Sequence, residues 1–120
     1  MSKLQTLDES LQSLVGSMLS SVEFVMDYVQ IRFSGPTLTA FTLPFLVHGE
    51  RTIRWGEPSY RDSLCALIGV EVRKTSVIPK KELAIDFVDG TILKVSLEDK
   101  DYCGPEAVYF VNEDGSAWVV

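Results

Sequence analysis

The chain has 120 residues, 46% hydrophobic and 23% charged, and carries a net charge of −6. That length suits one domain, 1–120, able to bury a core without a disulfide or metal staple. The acidity disfavours nucleic acid and anionic membranes as partners, since both demand a basic surface. No apolar run approaches the roughly 18 residues of a membrane span. Residues 1–10 carry Asp8 and Glu9 and lack the apolar stretch of a secretory signal, so a cytoplasmic location is expected.

The first predicted element is a helix near 7–15. Thr6 and Glu9 form a capping-box pattern at its start. Leu7, Leu11, Leu14 and Val15 then repeat at helical spacing, and Gly16 offers a left-handed stop. Val29, Ile31 and Phe33 alternate as in a half-buried strand, Gly35-Pro36 marks a turn, and a strand resumes at Thr37-Leu38 and runs through Phe41 and Leu43. A hairpin follows: Phe45 to Val47, a turn at His48-Gly49, and a return through Thr52 to Trp55.

The pattern then begins again. Ser59 and Asp62 form a second capping box; Tyr60, Leu64, Leu67 and Ile68 form a second apolar stripe, which predicts a helix over 60–68; Gly69 closes it, 53 positions after Gly16. Leu83, Ile85 and Phe87 answer Val29, Ile31 and Phe33, and Thr91-Ile92, Val95 and Leu97 answer Thr37-Leu38, Phe41 and Leu43. Asp89-Gly90 between them predicts a two-residue hairpin turn with both residues at positive φ. A last hairpin runs from Tyr109 to Val111, turns near Asp114-Gly115, and returns through Ala117 to Val120. The expectation is an α+β fold of two tandem repeats, approximately 6–55 and 59–118. Each is a helix followed by about five antiparallel strands, and together they form one curved sheet or two packed sheets with two helices. Leu11, Leu14, Val15, Ile31, Phe33, Leu64, Leu67, Ile68, Ile85 and Phe87 should be buried.

Chemistry-bearing residues are sparse. The only histidine is His48, in a turn, where exposure is the rule; no nucleophile elbow, phosphate loop or His-Glu-x-x-His pattern accompanies it. Cys65 lies in the second helix, where a thiol is commonly buried and inert, and Cys103 lies in a loop; both are expected to be reduced. Neither zinc nor calcium spacing is present, so no metal or organic cofactor and no enzyme activity are expected. A deep pocket holding His48 beside a carboxylate and a hydroxyl would overturn that view, and a concave polar pocket would favour a small enzyme or ligand-binding domain. A flat acidic face would favour partner binding, and exposed apolar strand edges a structural or self-associating domain.

Charge is unevenly spread. Arg73, Lys74, Lys80 and Lys81 stand against Glu71 alone in 71–81, whereas Glu98, Asp99, Asp101, Glu106, Glu113 and Asp114 stand against Lys100 alone in 95–120. The segment from Glu98 to Ala107 combines acids, turn residues and Tyr102, as an interface for a basic protein does. Glu98, Asp99, Asp101, Tyr102 and Glu106 are the candidate contact residues.

Tyr60 to Gly69, Asp89 to Leu97 and Asp101 to Ala107 resemble a group of small bacterial domains of undefined function. These are similar in size and acidity to the immunity proteins encoded beside contact-dependent or polymorphic toxins. The likeness covers roughly residues 59–107 and rests on structural motifs, so no functional residue carries over. It implies a non-catalytic protein that neutralises a toxin domain, commonly a basic nuclease, by direct binding.

Overall fold

The computed structural model describes residues 3–120 and shows an α+β fold with two five-stranded antiparallel sheets and two helices. The first sheet begins with β1 (Ser21–Val25), β2 (Tyr28–Arg32) and β3 (Thr37–Ala40). The second contains β4 (Phe45–His48), β5 (Arg51–Ile53), β6 (Val72–Ile78), β7 (Glu82–Phe87) and β8 (Thr91–Ser96). The last two strands, β9 (Val108–Val111) and β10 (Ala117–Val119), return to the first. Strand order is therefore β1-β2-β3-β9-β10 in one sheet and β5-β4-β8-β7-β6 in the other. Each sheet takes three consecutive strands from one half of the chain and a hairpin from the other half. The chain cannot be cut at its middle without tearing both sheets.

The helices are α1 (Lys3–Gln12) and α2 (Tyr60–Cys65), with α1 packed on β6 and α2 touching β1. Both are followed by tight three-residue turns: Leu14 N–H donates to Leu11 C=O, and Leu67 N–H to Leu64 C=O. That tightening explains a correction. Leu11, Leu14, Leu64 and Leu67 are buried as expected, but Val15 and Ile68 are 48% and 47% exposed. Three residues per turn, instead of 3.6, rotate the final apolar residue off the inward face. Gly16 and Gly69 do take positive φ, 90° and 89°, at the ends of these turns.

The caps differ from expectation as well. Helix α1 already runs from Lys3, so Thr6 is not its cap, and the Thr6 side chain lies outside the described residues. Ser59 precedes α2 as predicted but makes no side-chain cap bond; its hydroxyl accepts from Arg51 Nη2 at 3.4 Å instead.

Between the helices' ends and the sheets, residues 16–19 and 69–72 pair antiparallel. Gly16 N–H reaches Val72 C=O at 2.9 Å and Gly69 N–H reaches Leu19 C=O at 2.8 Å, about a bridge between Met18 and Glu71. Inward positions of β2 and β7 alternate as the sequence implied, with Val29, Ile31, Leu83, Ile85 and Phe87 fully buried. Leu38 lies opposite Ile31, but Leu93, not Ile92, lies opposite Ile85. The turn at Asp89-Gly90 causes this one-residue difference. Only Gly90 has positive φ (94°), and its N–H closes on Phe87 C=O, so the loop is longer than the predicted two residues. One continuous core draws on both sheets and both helices, including Leu7, Tyr60, Phe33 and Phe110. Among the described residues no helix is long and apolar enough to cross a membrane.

Candidate functional site

Two surfaces gather polar side chains, at opposite ends of the β4–β8 strand pair. At one end the segment between β8 and β9 folds as a short 3₁₀ turn over Asp99–Asp101 and then an irregular loop to Glu106. Ser96 starts it: its hydroxyl donates to Asp101 Oδ2 at 2.5 Å and accepts the Glu98 N–H at 3.2 Å. These local bonds hold the loop without neutralising it. Glu98, Asp99 and Asp101 are exposed and Glu106 is half-buried. Ion pairs among the described residues join Glu23 to Arg32, Asp86 to Arg73 and Lys74, and Glu82 to Lys94; none includes an acid of this loop. Tyr102 leans against the core, and burial, then the neighbouring Asp99 carboxylate, raises its hydroxyl pKa above the ordinary value.

The loop separates two clefts that meet at Cys103. One, of about 430 Å³, is walled by Glu98, Asp101 and Glu82 and by Arg54, Lys81 and Lys100, so its charges balance. Thr42, also in its wall, has a buried hydroxyl with no partner among the described residues. The other, of about 220 Å³, is lined by Phe41 and Pro105 together with Asp27 and Glu106. Asp27 comes from the β1–β2 turn, beside Met26, which is 91% exposed. The acidic excess thus lies on the Asp27–Glu106 side. Sequence reasoning missed Asp27, Met26 and Phe41; an apolar residue at a hairpin tip was the available signal.

At the opposite end His48 closes β4 directly across from Thr91, and its Nδ1 lies 3.0 Å from Thr91 Oγ1. A cleft of about 410 Å³ there also contains Arg51, Ser63 and Asp89. This is the histidine–carboxylate–hydroxyl grouping that sequence reasoning set as a test. The geometry is not that of a relay. Asp89 Oδ1 accepts the Thr91 backbone N–H at 2.9 Å, and no carboxylate among the described residues bonds the imidazole. In a relay a carboxylate holds the imidazole; here the Thr91 hydroxyl stands in that place.

Both thiols are free and exposed; Cys65, expected inside, ends α2 on its outer side. Among the described residues no three His, Cys, Asp or Glu side chains converge as metal ligands. Comparison with known proteins returned nothing: no family model, no curated protein and no solved structure matches this chain.

Proposed function

We propose that this chain is a non-catalytic binding protein that docks a basic protein partner on the face formed by residues 98–106 and the β1–β2 turn. The carrying observation is that Glu98, Asp99, Asp101 and Glu106 stand in no ion pair among the described residues, while the basic strand β6 has its Arg73 and Lys74 tied to Asp86. Asp27 and Glu106 share a cleft with Phe41 and Pro105, and this pairing of acids with a small apolar surface has the make-up of an interface. Acids at such an interface raise the association rate more than the intrinsic affinity. The resemblance to immunity proteins gives this partner a class: a toxin domain, blocked one-to-one in the cytoplasm, whose basic cleft the loop covers. Glu98, Asp99, Asp101, Tyr102 and Glu106 are the proposed contacts, joined by Asp27 and Met26.

The fold supports a duplicated origin for the scaffold. Strands β1, β2, β3, β4 and β5 occupy the places in their sheets that β6, β7, β8, β9 and β10 occupy in theirs. The antiparallel pairing of 16–19 with 69–72 has the form of contact across a local twofold. On this reading the two repeats exchange their last hairpins.

The test is capture from source-cell lysate with the wild-type chain and with a variant carrying Asp27→Asn, Glu98→Gln, Asp99→Asn, Asp101→Asn and Glu106→Gln. The proposal expects a basic protein held by the first and lost or slowed on the second, with an association rate that falls as salt rises. A captured partner with an acidic surface, or equal binding by both chains, would remove it.

A further inference from the structure

The cleft at His48 is not required by the fold, because the matching place on the other sheet is filled. There the β9–β10 hairpin meets α1. Asn112 Nδ2 donates to Ser10 Oγ at 2.6 Å, and Ser10 is only 9% exposed. The Glu113 side chain packs against Gly35, lying within 3.1 Å of where a Cβ would be. On the second sheet the β4–β5 hairpin meets α2, and Ser63 stands at the position in α2 that Ser10 holds in α1. No asparagine reaches it. His48 turns to Thr91, Arg51 to Ser59, and the space between hairpin and helix remains as the cleft of about 410 Å³.

Its walls have a definite chemistry. Leu46, Ile53 and Leu67 form an apolar floor, each at most 6% exposed, and Ala66 beside them is exposed. Arg51 supplies an exposed guanidinium, and Ser63 and Thr91 supply hydroxyls. Asp89 places one carboxylate on the wall, which limits the negative charge the cleft accepts. The volume is in the range of small-molecule sites, roughly 300–1,000 Å³.

We infer that this cleft binds a small organic anion, one carboxylate or phosphate joined to an apolar body, with Arg51 and His48 at the anion and the leucine–isoleucine floor at the body. A planar fork such as guanidinium suits a carboxylate or phosphate group. The inference is independent of the partner face, which lies at the other end of the β4–β8 pair.

The test is an NMR titration of the isotope-labelled chain with benzoate, phenyl phosphate, inorganic phosphate and benzylamine. Benzoate or phenyl phosphate should shift the His48 ring and the Leu46, Ile53 and Leu67 methyls saturably, while inorganic phosphate and benzylamine should not. Arg51→Ala should weaken the aromatic anion by on the order of tenfold, the effect of losing a charge-assisted bond. Glu98→Gln should leave the titration unchanged, which separates this site from the acidic loop. No saturable shift with either aromatic anion, equal binding of benzylamine, or indifference to Arg51→Ala would each overturn the assignment.

Discussion

The two junctions between helix and hairpin differ in what occupies them. At α1 the hairpin sends Asn112 into the gap and the helix answers with Ser10. At α2 the hairpin presents His48 and Arg51, and neither bonds Ser63. The same architecture thus tolerates a closed and an open version. The polar residues of the open junction are therefore not needed to complete the scaffold, whereas those of the closed junction satisfy buried groups. A similar contrast separates the charged regions. On the basic edge Arg73 and Lys74 share one partner, Asp86, within their own sheet, whereas the acids of the loop have no ion-pair partner among the described residues.

The largest effects should be equal on the two sides. Leu11→Ala and Leu64→Ala each empty a fully buried site on the two helices that the proposed repeat pairs, and each should cost about 2–5 kcal/mol in denaturant unfolding. A large cost on one side alone would break the correspondence between the helices. Next in size is a feature that only the open side has. Tyr60, 1% exposed, donates its hydroxyl to Pro44 C=O at 2.5 Å, where α1 has the fully buried Leu7. Tyr60→Phe should cost about 1–3 kcal/mol, since it leaves a carbonyl unpaired.

The same residue makes a pH prediction. Burial pushes the Tyr60 hydroxyl far above the ordinary tyrosine value, so folding favours its protonated form. Stability from this group is full below the ordinary tyrosine range and declines as pH rises through and above it. Unfolding measured across that range should show a downward slope that Tyr60→Phe reduces; an unchanged slope would place the alkaline loss elsewhere. The smallest effect belongs to the acidic loop. Glu98→Gln and Asp99→Asn should each change stability by no more than about 0.5 kcal/mol, because both side chains are exposed and unpaired. A larger loss would mean that these acids hold the loop and are not free for a partner.

Much of the fold was legible because apolar spacing reports burial directly. The stripes of Leu11–Leu14 and Leu64–Leu67 placed both helices, and the alternation in Val29–Phe33 and Leu83–Phe87 placed two inner strands. Strands β1 and β6 escaped individual notice: Ser21–Val25 is nowhere fully buried, and Val72–Ile78 carries a register shift and exposed Arg73 and Lys74. Both are edge strands, where one side of the ladder needs no apolar partner. That the β4–β5 hairpin joins the second sheet and the β9–β10 hairpin the first was not legible, because local pattern fixes a strand's faces but not its neighbour. The acidic loop was visible as composition. Asp27 and Phe41 beside it, and the cleft at His48, depend on long-range pairing; the one local signal was Met26, an apolar residue at a hairpin tip.

The most direct measurement compares the two junctions by urea unfolding of Asn112→Ala and His48→Ala. Asn112→Ala leaves the nearly buried Ser10 hydroxyl without its partner and should cost about 1–2 kcal/mol. His48→Ala opens Thr91 to cleft water, which replaces the lost bond, so the change should stay within about 0.5 kcal/mol. The reverse ranking, with His48→Ala the more costly, would show that the open junction belongs to the scaffold and would contradict its reading as a site kept free for a ligand.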